Sequence, residues 1–76
     1  MESFEYDNIV IQVRMRGIFI RGLYETTFVP YYIIDLVRKM SQHHIKIYTR
    51  SENVILTLPH GCEDTDKIME EIIKNI

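Results

Sequence analysis

At 76 residues, with 46% apolar and 26% charged side chains, the chain has the balance of one small folded domain. A domain of this size leaves no room for a large buried active-site cavity. A single cysteine, Cys62, excludes an internal disulfide framework. The net charge of −2 hides a polarised distribution: residues 1–8 carry three acids and no base, residues 9–50 seven bases against two acids, and residues 51–76 six acids against two bases.

No apolar stretch follows a basic start, and no apolar run is long enough to span a bilayer. Together with the lone cysteine, this gives the expectation of a soluble cytoplasmic protein. The whole of 1–76 reads as one α+β domain. Within it, residues 1–7 are the candidate disordered stretch.

From Ile9 the sequence "NIVIQVRM" alternates, with Ile9, Ile11, Val13 and Met15 on one face and Val10, Gln12, Arg14 and Arg16 on the other. "GIFIRGLY" follows, so 8–24 reads as a hairpin turning near Arg16-Gly17. Met15 would pair with Ile18, which keeps Ile18, Ile20 and Tyr24 inside and Arg21 outside. A three-residue turn with a glycine bulge competes, but it would bury Arg21. "ETTFVPYYIIDLVRKMSQ" predicts a helix, with Thr26 or Thr27 as cap, Pro30 in the first turn and an apolar stripe of Ile33, Leu36, Val37 and Met40.

Two further strands, "HIKIYTR" and "NVILTL", face Ile45, Ile47 and Thr49 toward Val54, Leu56 and Leu58 across an "RSEN" turn. The chain closes with "CEDTDKIMEEIIKNI", an amphipathic helix whose stripe is Ile68, Met69, Ile72, Ile73 and Ile76. The order β-β-α-β-β-α then predicts a two-layer sandwich. It has a four-stranded, mostly antiparallel sheet of order 1-2-4-3 with two helices on one face.

The predicted register places His43 opposite His60, with Cys62 two residues on. These three are metal-ligand candidates. Their spacing matches no standard zinc pattern, and polar strand ends are the favoured reading, so no metal or other cofactor is expected. Cys62 among Glu63, Asp64 and Asp66 is poorly placed for a thiolate nucleophile. The acids of the last helix lack the spacing of a calcium loop. No phosphate-binding glycine motif occurs. Nothing in the sequence points to an enzyme.

The strongest functional feature is the sheet face that two helices on one side would leave bare. It would display Arg14, Arg16, Phe19, Arg21, Lys46, Tyr48 and Arg50 around an apolar centre of Val10, Leu23 and Ile55. Such a face suits a small non-catalytic interaction module: a regulator, inhibitor or accessory subunit that binds a protein partner or a second copy of itself. The alternative is single-stranded RNA or DNA, with bases stacked on Phe19 and Tyr48 and phosphates on the cations. The overall negative charge favours the protein partner. Neither helix is basic with a broad apolar face, so no membrane partner is expected. The bland alternative is that the cations only keep an uncovered sheet soluble.

Overall fold

The computed structural model describes all of residues 1–76. Two antiparallel sheets share one core. The first is a meander of β1 (Glu2–Glu5), β2 (Val10–Val13), β3 (Gly17–Arg21) and β4 (Thr26–Pro30), in the order β1-β2-β3-β4. A 3-10 turn at Tyr31–Ile33 leads to the second sheet, β5 (Ile34–Ser41), β6 (His44–Thr49) and β7 (Asn53–Thr57), in the order β5-β6-β7. A single helix, α1 (Thr65–Asn75), closes the chain.

This corrects the expected two-layer ββαββα sandwich of order 1-2-4-3. There are seven strands and one helix, the first sheet runs in sequence order, and a second sheet stands where a helix was expected. The segment 25–42 carries the difference. Its β-branched and aromatic residues (Thr26, Thr27, Phe28, Val29, Tyr31, Tyr32, Ile33, Ile34, Val37) favour pleated backbone. The proline ends β4 instead of opening a helix. The apolar spacing that mimics a helix arises because this segment carries apolar residues on both sides: Ile33 and Val37 pack against the core, whereas Leu36 and Met40 do not. Leu36 and Met40, placed in the core by the helical reading, are exposed.

Both hairpins lie on the expected faces in a different register. Val13 pairs with Ile18 and Ile11 with Ile20, so the loop is Met15-Arg16. It is closed by Arg14 N–H donating to the Gly17 carbonyl at 2.9 Å. Neither loop residue has positive φ, so this is not the primed turn favoured in two-residue hairpins. In the second sheet Ile45 pairs with Leu56 and Ile47 with Val54. Each slip is two residues, which preserves the side-chain phase: Ile11, Val13, Ile18, Ile20, Ile45, Ile47, Leu56 and Leu58 are all buried. Met15 and Tyr24, expected inside, are exposed.

The stretch 1–7, the candidate for disorder, contributes β1, which pairs along β2 and sinks Phe4 into the core opposite Ile11. Ile68 and Ile72 of α1 complete that core. Each fully buried isoleucine or leucine contributes about 1.5–3 kcal/mol relative to exposure. Thr65, in the first turn of the helix, is buried, and its hydroxyl donates to the Gln42 carbonyl at 2.5 Å. That bond ties the helix to the β5–β6 turn. Lys39 and Asp66 add an ion pair at 2.8 Å beside it.

Candidate functional site

Since both sheets turn their buried residues into one core, their outer faces look away from each other. The predicted platform is therefore divided. Arg14, Arg16, Phe19 and Arg21 belong to the first sheet and its hairpin loop, whereas Lys46, Tyr48 and Arg50 belong to the second. The expectation of one bare face carrying all seven residues is overturned by the sheet that replaced the helix.

On the first sheet, Arg14 is committed locally. Its guanidinium lies 4.4 Å from the centre of the Phe19 ring. Its Nε and Nη2 donate to Gln12 Oε1 at 3.0 and 2.7 Å. Phe19 sits between Gln12 and Phe28 in the cross-strand row. Arg21 is exposed at the far end of β3, next to Val10 and Thr26, and Arg16 is exposed in the loop.

The second sheet presents a more concentrated surface. Alternation that buries Ile45 and Ile47 turns His44, Lys46 and Tyr48 outward. Register then defines two outer rows: Arg38–Lys46–Ile55 and Leu36–Tyr48–Asn53. Lys46 Nζ stands 4.8 Å and the Arg38 guanidinium 5.8 Å from the centre of the Tyr48 ring. Leu36 and Ile55, both exposed, flank the ring. Neither cation has an acidic partner; the two ion pairs of the molecule are Lys39–Asp66 and Lys74–Glu71. Neither row contains a carboxylate. Arg50 lies just beyond β6, its N–H bonded to the Ile33 carbonyl at 3.1 Å. At the other end of the face, Ser41 Oγ and His44 Nδ1 are 2.8 Å apart.

Arg38 and Leu36 were missed as site residues because the helical reading of 25–42 placed Arg38 on a solvated helix face and Leu36 in the core. Only correct pairing of β5 with β6 brings both beside Tyr48.

The histidines named at the sequence level do meet. His43 and His60 pack edge to face with ring centres 4.7 Å apart, and His43 Nδ1 is buried without a hydrogen-bond partner. They meet diagonally, because His43 stands opposite Leu58, whose N–H donates to its carbonyl at 2.7 Å. Cys62 is half-buried and packs against the hydrophobic core. The trio His43, His60 and Cys62 is thus not assembled, and no three His, Cys, Asp or Glu side chains stand in a metal-holding arrangement.

Tyr6 donates to Asp64 Oδ2 at 2.5 Å, so the carboxylate at the N-cap position serves the tyrosine and makes no capping bond. Burial, followed by the bond to Asp64, pushes the Tyr6 phenol well above its ordinary range. No helix is long and apolar enough to cross a membrane. No protein-family model, curated protein or solved structure shows detectable similarity to this chain.

Proposed function

We propose that the protein is a non-catalytic interaction module whose binding face is the outer surface of β5–β6–β7. Its partner is a protein surface or segment that offers carboxylates beside an apolar side chain. The observation that carries this is the pair of uncompensated cations, Arg38 and Lys46, set against Tyr48 between exposed Leu36 and Ile55. Like charges directly opposite on a sheet cost stability unless something anionic meets them. An aromatic ring with a cationic rim and aliphatic neighbours has the composition of a protein-interface centre. A role as regulator, inhibitor or accessory subunit fits a chain of this size.

The nucleic-acid alternative needs successive stacking rings along one strand path. Phe19 and Tyr48 now lie on different sheets, leaving one ring on the basic face. The test is a titration of isotopically labelled protein, followed by amide and side-chain resonances, with a glutamate-rich peptide containing one leucine and, separately, with an oligothymidine. Shifts from the peptide that cluster at Arg38, Lys46, Tyr48 and Ile55 and disappear in Lys46→Glu support the reading. Saturable shifts from the oligonucleotide alone would replace it with the nucleic-acid reading. Silence in both arms would overturn both.

A further inference from the structure

The free edge of β7 differs from every other edge in the molecule. β1 is short and carries Glu2 and Glu5. β4 ends in Pro30, and Tyr31 N–H bonds back to Arg16, so Pro30 occupies an outward-pointing position that offers no donor. β5 carries Asp35, Arg38 and Lys39 and two register irregularities. These are the devices by which proteins block edge pairing. β7, "NVILT", has no charge, no proline and no bulge.

Its backbone alternation also leaves a row of groups turned away from β6. Leu58 N–H bonds to His43, so Leu58, Leu56 and Val54 point their polar groups at β6, and Asn53, Ile55 and Thr57 point theirs outward. One outward acceptor already has a partner within the chain: Asn8 Nδ2 donates to the Thr57 carbonyl at 3.4 Å, leaving that oxygen one further lone pair for a second strand. Beside the edge lies a groove of about 270 Å³, lined by Ile20, Leu23, Tyr24, Val54 and Ile55, with Glu25 its only charged side chain. Leu23 and Tyr24, at 68% and 96% exposure, are among the most exposed apolar side chains of the chain.

We infer that β7 pairs antiparallel with β7 of a second copy, about a twofold axis at Ile55. That register sets Ile55 opposite Ile55 and Asn53 opposite Thr57. Every outward-pointing residue then meets another, for about six new backbone hydrogen bonds. Charge selects the occupant. An acidic or basic segment would find no counter-charge along this strand, whereas an uncharged strand of the same β-branched composition meets no repulsion. The twofold also turns the Leu23–Tyr24 loops toward each other across the joined edges. The resulting six-stranded sheet ends on both sides at β5, whose charges and irregularities stop further addition, so the assembly closes as a dimer. The outer rows of the two copies become one continuous surface.

The test is solution mass by sedimentation equilibrium on the full chain up to about 1 mM, with amide hydrogen exchange at low and high concentration. A dimer is expected, with Ile55 N–H protected only at high concentration. Ile55→Lys and Asn53→Pro, which remove no β6–β7 bond, are expected to weaken association by at least about tenfold while retaining the native circular dichroism. Leu36→Lys, on the β5 side, should leave it unchanged. A monomer throughout, a dimer indifferent to both β7 variants, or masses that keep rising beyond the dimer would overturn the inference. Lys46→Glu, which tests the partner face, leaves the β7 edge intact, so failure of one reading is distinguishable from failure of the other.

Discussion

Arg38 and Lys46 stand directly opposite one another on the outer face of β5–β6, with no acid bonded to either. In an isolated domain this pairing works against stability. Lys46→Glu converts the row into a cross-strand ion pair with Arg38. It is expected to raise stability by about 0.2–1 kcal/mol, seen as a higher urea midpoint at unchanged slope. The same substitution is expected to abolish binding of the glutamate-rich peptide. A variant more stable and less functional is the signature of a binding site, and a loss of stability would count against the uncompensated pair.

Gly17 is fixed by close approach of strands. A Cβ there would stand 2.5 Å from the Val29 carbonyl oxygen and 2.9 Å from Pro30 Cα. Those are backbone atoms inside the β3–β4 ladder and do not rotate away. Gly17→Ala is expected to cost about 1–3 kcal/mol by overpacking, read in chemical denaturation. Gly22, whose added Cβ would meet only ordinary contact, is the control.

Burial of the Tyr6 phenol, together with its bond to Asp64, makes stability fall at alkaline pH. The folded protein holds the phenol protonated above the value of about 10 at which the unfolded chain releases it. Above that pH the unfolded state binds fewer protons, so stability is fully present below about pH 10 and declines as pH rises further. Tyr31, raised by burial and then by Glu71, adds to the same slope. Tyr6→Phe is expected to cost about 1–2 kcal/mol near neutrality and to flatten, without abolishing, the decline. Denaturant midpoints between neutral and alkaline pH measure both effects.

Thr65 offers a sharper probe of how α1 is held. Its buried hydroxyl supplies the one side-chain bond from the helix to the β5–β6 turn, while Lys39–Asp66 lies at the surface. Thr65→Val keeps the shape, leaves the Gln42 carbonyl without this donor, and is expected to cost about 1–3 kcal/mol. Asp66→Asn is expected to cost less than about 1 kcal/mol. Equal losses in thermal unfolding would show that the hydroxyl carries no special share.

What was legible in the sequence follows from what alternation encodes. A period of two fixes which face of a strand is buried, and it does so for Ile11, Val13, Ile18, Ile20, Ile45, Ile47, Leu56 and Leu58. It is blind to slips of two residues, so both hairpins turned one residue early without changing a buried face. The terminal helix was legible because acids crowd its start and Ile68 and Ile72 recur one turn apart. The segment 25–42 was not, because it carries apolar residues on both its core side (Ile33, Val37) and its exposed side (Leu36, Met40), and together these repeat as a helical stripe would. That one misreading propagated to function: with a sheet in place of a helix, residues expected on one platform fell on two.

The division of that platform yields a last prediction. Phe19 and Tyr48 each lie beneath a cation and are similar in setting, yet they sit on opposite outer faces. If one continuous face bound the partner, Phe19→Ala and Tyr48→Ala would weaken it alike. With the site on β5–β6–β7, Tyr48→Ala removes the ring that Arg38 and Lys46 share and is expected to cost about 2 kcal/mol of binding, or roughly thirtyfold. Phe19→Ala releases Arg14 from its ring but touches nothing on the second sheet, and its effect on affinity is expected within about twofold. Calorimetric titration of both variants with the same glutamate-rich peptide decides the matter. A larger loss at Phe19 would move the site to the first sheet, where Gln12, Arg14 and Phe28 surround that ring.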